Sequence, residues 1–179
     1  MVKYILRLAG TLLLICAVTA GLLAGGNAVT EPILAELNAA KTQEAIMKVL
    51  PSGFDTEITE YTDESGIVSR IYKGADGYAV EVQPAGFGGT ITMMVGVSKD
   101  GEVLGISIVS HTETAGLGAV AAAKTTAGEA FRAGFAGLTG TAAVTKDGGT
   151  VDAITGATIT SRAVCDGVNA AREFVAGLD

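Results

Sequence analysis

No charged residue occurs from Leu8 to Thr30, 23 consecutive positions, and this run limits the fold before any motif is considered. As a helix it reaches roughly 34 Å, slightly more than the ~30 Å hydrocarbon core of a bilayer. Lys3 and Arg7 precede the run, while Glu31 and Glu36 follow it. The positive-inside rule then places residues 1–7 in the cytoplasm, a transmembrane helix at 8–30, and residues 31–179 outside the cytoplasm. The expected arrangement is a single-pass anchor in the cell (inner) membrane bearing one extracytoplasmic domain. A cleavable signal peptide is the rival reading, because Gly26-Asn27-Ala28 has small-x-small spacing. The run is longer than an ordinary signal core, which favours the anchor, and either reading exports the domain. Gly21-Leu22-Leu23-Ala24-Gly25 adds a GxxxG spacing, which lets a second membrane helix approach closely.

Beyond the span, the pattern predicts a helix from about Glu31 to Leu50, with Pro32 in its first turn and Pro51-Ser52-Gly53 stopping it. Strand-like runs follow at Glu57–Tyr61, Val68–Tyr72, Tyr78–Gln83, Thr90–Val97 and Val103–Val109. Turn signals at Asp63-Glu64-Ser65-Gly66, Gly74-Ala75-Asp76-Gly77 and Lys99-Asp100-Gly101 separate them. A Gly/Ala-rich helix is expected from about Ala119 to Phe135. A last helix is expected from about Ser161 to Ala176, with Val164, Val168, Ala171 and Val175 on one face. Gly177 suits its C-terminal cap. The predicted class is α+β, a mostly antiparallel sheet with packed helices, preceded by the transmembrane helix.

Several chemistries lack the residues they need. With 12 basic and 19 acidic residues the net charge is −7, which gives no electrostatic footprint for nucleic acid. Cys16 and Cys165 form no CxxC pair and His111 is the only histidine, so this chain alone offers no ligand set for an iron–sulfur cluster, haem or His-based zinc. Gly116-Leu117-Gly118-Ala119-Val120-Ala121 satisfies G-x-G-x-x-A, but it does not directly follow a strand in a βαβ unit, so the dinucleotide reading fails. Cys165 reads as core packing.

The informative stretch is Asp152-Ala153-Ile154-Thr155-Gly156-Ala157-Thr158-Ile159-Thr160-Ser161. Thr155, Thr158, Thr160 and Ser161 crowd hydroxyls around a helix start, where free N–H groups and the dipole favour an anion such as phosphate. Gly156 permits a sharp turn, and Ala157 keeps the approach open to a bulky ligand. On residue type alone a plain helix N-cap is the favoured reading. Four hydroxyls exceed what a cap needs, yet they do not specify a ligand.

Asp152 to Thr158, D-A-I-T-G-A-T, resembles the flavinylation motif of the exported FMN-binding domain family. In that family the pattern is Asp, two apolar residues, Ser/Thr, Gly, Ala, and a Ser/Thr that accepts FMN. His111-Thr112-Glu113-Thr114-Ala115-Gly116-Leu117-Gly118 is similar to the family's H-x-E-T-P-G-L-G pocket loop, with Ala115 where proline is usual. Gly86-Phe87-Gly88-Gly89 resembles its glycine-rich turn.

The resemblance implies FMN as cofactor, attached by a phosphoester to Thr158 and installed from FAD by a magnesium-dependent flavin transferase that reads Asp152. It also implies cofactor contacts from Thr155, Gly156, Ala157, Thr160, Ser161, Glu113, Thr114, Gly116, Leu117 and Gly118, with no metal and no catalytic residue of the chain's own. Glu113 would either brace its loop or touch the flavin, and His111 would hydrogen-bond within the pocket. The arrangement of motifs is most similar to family members of Rnf-type ion-translocating ferredoxin:NAD oxidoreductase complexes. Its expected partners are therefore the membrane and peripheral subunits of such a complex, with this chain as an electron relay. Members of sodium-pumping NADH:quinone reductases share the domain but are generally longer. A free-standing exported FMN reductase domain is a further alternative.

Overall fold

The computed structural model describes residues 2–63 and 65–178, so Glu64 of the expected turn lies outside the described residues. The chain forms two compact units, Met1–Ala40 and Lys41–Asp179.

The described residues of the first unit are helical, and helix α1 runs Val2–Val49, 48 residues. Within it Ala9–Ala28, 20 residues of mean hydropathy 1.9 and entirely exposed, is long and apolar enough to cross a membrane. Its hydroxyls are satisfied internally: Thr11 donates to Arg7 O at 2.9 Å and Thr19 to Ile15 O at 2.9 Å. Such back-bonding removes the cost of a free hydroxyl in an apolar environment. The separate helix expected from Glu31 is not observed, because α1 continues through that position. Thr30 Oγ1 donates to Gly26 O at 3.1 Å and Asn27 Nδ2 to Glu31 Oε2 at 3.4 Å, spanning the expected break.

In the second unit the chain builds a five-stranded antiparallel meander in the order β1 (Thr56–Ile58), β2 (Val68–Lys73), β3 (Gly77–Val82), β4 (Thr92–Ser98) and β5 (Val103–Ser110). Strand alternation sends neighbouring side chains to opposite faces. Val80, Val82, Met93 and Val95 join a large core with Val164, Val168 and Ala171 of α3 (Thr158–Ala176). Ala79 and Met94 instead meet Ala45, Ile46, Val49 and Leu50 at the end of α1. Both faces are therefore covered, which explains why every residue of β3 is buried. The β4–β5 turn is the expected hairpin, closed by Gly101 N–H donating to Ser98 O at 3.0 Å.

The Gly/Ala-rich stretch forms two pieces rather than one helix. A 3-10 turn occupies Gly118–Ala121, and α2 covers Thr126–Ala133. Thr125 caps α2 by accepting from Gly128 N–H at 3.3 Å, which starts a new helix where continuous periodicity suggested none. Arg132 fastens the break by donating to the carbonyls of Ala121 and Ala123.

Helix α3 is tied to the loops before it. Asn169 exchanges two hydrogen bonds with the backbone of Ala142, at 2.7 and 2.9 Å, and Arg172 donates to Gly101 O at 2.8 Å. Cys165 lies on the buried face of α3 as a free thiol. Burial, with a smaller contribution from Asp166, pushes this thiol up to about 11 from an ordinary value near 9. The folded state thus keeps the proton to higher pH than the unfolded chain does. Its contribution is complete below about pH 9 and is lost as pH rises from there to about 11. In a Cys16→Ser background, a thiol reagent at pH 8 is expected to label Cys165 only after unfolding. Rapid labelling of the native protein would contradict the packing assigned to α3.

Candidate functional site

The site forms where three loops converge on the start of α3. The first is the D-A-I-T-G-A-T segment. Its turn is closed by Ala157 N–H donating to Ile154 O at 2.9 Å, and Gly156 sits at φ +77°, a conformation costly to any side chain with a Cβ. Helix α3 then starts at Thr158, three residues earlier than expected, with Ala157 as N-cap and no side chain capping it. The N–H groups of its first turn have no intrahelical acceptor.

This early start sorts the four hydroxyls. Ser161 Oγ accepts from Ile154 N–H and donates to Ala157 O, each at 3.0 Å, so it clasps the two ends of the turn and is fully buried. Thr160 is also buried and donates to Glu113 Oε2. Thr155 is exposed and lines a cavity of about 410 Å³ together with Asp152 and Gly116. Thr158 is half-buried and opens on a separate cavity of about 360 Å³.

The second loop carries Glu113. Glu113 is 9% exposed, and its carboxylate accepts Gly88 N–H at 2.8 Å and the Thr160 hydroxyl, joining the glycine-rich turn to α3. Thr112 adds a bond to Gly88 O at 2.9 Å, and His111 Nδ1 accepts Glu113 N–H at 3.2 Å, bracing the loop from within. Gly118 must lack a side chain, because a Cβ there would collide with Glu113 Oε2 and Thr160 Oγ1.

The third loop was not foreseen as part of the site. A parallel bridge between Val144 and Val151 folds residues 144–151 back, so the 3-10 turn Thr145–Asp147 lies beside α3. Lys146 Nζ comes within 3.5 Å of Thr158 Oγ1. Arg162 of α3 forks onto both carboxylate oxygens of Asp147 at 2.7 Å and fixes that turn. This contact holds the Asp147 carboxyl below its usual range. Nothing in the spacing of Lys146 and Thr158 signals their contact, which depends on the Val144–Val151 bridge.

The cavity at Thr158 is lined by both polar and apolar residues. Glu113, Thr114, Gly118, Lys146, Gly156, Ala157 and Thr160 contribute to its lining. Phe87, Ile159 and Leu117 stand around it with exposures of 69%, 53% and 43%. Phe87 belongs to the glycine-rich turn noted in the sequence, and nothing in the sequence singled out Ile159. Of the residues expected to bind a cofactor, Thr158, Gly156, Ala157, Thr160, Glu113, Thr114, Leu117 and Gly118 meet at this cavity. Asp152, Thr155 and Gly116 line the neighbouring cavity, and Ser161 lines neither. An uncapped helix start, a cation and exposed apolar side chains suit a ligand with a phosphate at one end and a flat apolar ring at the other.

Comparison with known proteins gives the same ligand class. Residues 86–173 match the model of the FMN-binding domain family. Over 97% of its length the chain is 36% identical to the G subunit of the ion-translocating oxidoreductase complex of Methanosarcina acetivorans, covering 95% of that protein. It is 35% identical to the G subunit of the Na(+)-translocating ferredoxin:NAD(+) oxidoreductase complex of Acetobacterium woodii, over 93% of this chain and 89% of the relative. The G subunit of the proton-translocating ferredoxin:NAD(+) oxidoreductase complex of Clostridium ljungdahlii is 34% identical, over 89% and 85% of the two chains.

Proposed function

This chain belongs to the family formed by the G subunits of ion-translocating oxidoreductase complexes, and we propose that it is an electron relay in a ferredoxin:NAD oxidoreductase complex, with FMN joined through its phosphate to Thr158. The observation that carries the attachment site is the sorting of hydroxyls. Ser161 and Thr160 are consumed by internal bonds, whereas Thr158 opens on the mixed polar and apolar cavity beside Lys146.

FMN bound there supplies one- and two-electron transfer, and the chain supplies attachment, orientation and shielding. Thr158 Oγ would replace AMP at the flavin-side phosphorus of FAD, its proton passing to the flavin transferase that reads Asp152. The first turn of α3 faces the phosphate with free N–H groups. Phe87, Leu117 and Ile159 give the ring an apolar surface, while Glu113 holds the two flanking loops at fixed separation. Covalent attachment has a clear use outside the cytoplasm, where free FMN would be lost by dilution, and we place the domain there with Ala9–Ala28 as its single membrane span. The sodium- and proton-translocating relatives are about equally similar to this chain, which fits a relay whose sequence is indifferent to the coupled ion.

The test is fluorescence of the denatured protein on a gel, from an exporting host with and without an active flavin transferase. Fluorescence only with the transferase supports the proposal, and a dark wild-type band alongside a proven transferase substrate overturns it. Removing one aromatic contact costs about 1 kcal/mol. Phe87→Ala is therefore expected to increase, on the order of fivefold, the fraction of attached ring released from the cavity. Lower fluorescence polarisation and faster iodide quenching would report it. Unchanged values would remove Phe87 from the ring surface.

A further inference from the structure

Lys146 is an exposed cation whose contacts within the polypeptide are weak: one long hydrogen bond to Thr158 and a minor coulombic attraction to Asp147. Its ammonium lies 3.5 Å from the hydroxyl of the first residue of α3, at the positive end of a 19-residue helix that no side chain caps. Among the described residues no carboxylate forms an ion pair with it, because the adjacent Asp147 is taken by both arms of the Arg162 fork. A cation at a helix N-terminus is unfavourable unless an anion sits between the two.

We propose that Lys146 is the counter-ion of the phosphate on Thr158, kept in position before the phosphate arrives by the Asp147–Arg162 clamp. This rests on the attachment proposed above. With Lys146 Nζ 3.5 Å from Thr158 Oγ1, a phosphoryl group on that oxygen would be held by Lys146 and by the free N–H groups of the first turn. The charge therefore changes sign in its effect: it destabilises the unmodified domain and stabilises the modified one. A structural lysine that merely packed its stem against the loop would act alike in both.

The experiment compares melting of the full-length chain in detergent, with and without flavin, for wild type, Lys146→Met and Lys146→Arg. Methionine keeps the aliphatic stem and removes the charge. Lys146→Met is expected to raise the melting temperature of the flavin-free form by about 1–2 °C and to lower that of the loaded form by about 2–4 °C. Lys146→Arg should behave as wild type in both. Shifts of the same sign in both forms, or no shift in the loaded form, would overturn the counter-ion role while leaving attachment intact. If Lys146→Met takes no flavin while Lys146→Arg does, the charge is already needed as the phosphate arrives, which supports the role. If both fold and neither loads, charge is not what matters at this position, and the role is overturned. A wild type that takes no flavin from an active transferase removes the attachment itself.

Discussion

Thr158→Ala is expected to abolish covalent flavin while leaving the fold intact. The half-buried Thr158 hydroxyl has Lys146 Nζ at 3.5 Å as its partner, and the methyl of alanine suits the first turn of α3. The cost to stability should stay within ~0.5 kcal/mol, as for other partly exposed positions. Loading should fall to background, since none of the other three hydroxyls around the start of α3 is placed to substitute. Thr160 points into Glu113, Ser161 is locked between Ile154 and Ala157, and Thr155 lines the other cavity. Thr155→Ala, by contrast, should retain attached flavin. A Thr158→Ala protein that stays fully fluorescent after denaturation would move the attachment elsewhere and undo the reading of the hydroxyls.

The second large effect is expected at Glu113. Its carboxylate joins Gly88 N–H and the Thr160 hydroxyl, which belong to segments far apart in sequence. Glu113→Ala leaves both groups without that partner in a mostly buried place, at about 1–3 kcal/mol each. Removing a carboxylate from a site that is 9% exposed also ends its desolvation cost, which offsets part of the loss. The net expectation is about 2 kcal/mol of destabilisation and a melting temperature roughly 5–8 °C lower. Flavin loading should decline with it as the glycine-rich turn separates from α3. Glu113→Gln can keep one acceptor and offer one donor, so about half the loss is expected. An alanine variant that melts like wild type would show that the two bonds do not hold the site together.

How far the sequence carried depends on which interactions decide each element. The sheet was legible because alternation and turn residues are local: all five strands formed near their expected places, though β1 was shortened to Thr56–Ile58. Helix boundaries were less legible where a side chain sets them. Thr125 split the stretch expected from Ala119 to Phe135, and Ala157 rather than a hydroxyl residue became the N-cap of α3. That second shift matters most, because it turned four apparent capping hydroxyls into four different environments. The resemblance of D-A-I-T-G-A-T to a flavinylation motif supplied the cofactor class, which residue types alone did not. Lys146 was not legible as a site residue, because its approach to Thr158 depends on a bridge between Val144 and Val151 that no local pattern encodes.

These contacts also give the resemblance a physical content. The H-x-E-T loop is needed less for its histidine, whose ring accepts a backbone N–H two residues on, than for the buried glutamate that ties the site together. Gly118 leaves room for that carboxylate, and Gly156 makes the turn that delivers Thr158 to the cavity.

The most direct test of the central claim is peptide mapping by mass spectrometry of full-length protein made with an active flavin transferase. The peptide containing Asp152 to Arg162 is expected to carry the mass of one FMN less one water, with fragmentation placing it on Thr158. Flavin mapped to another residue, or an unmodified peptide from fluorescent protein, would contradict it.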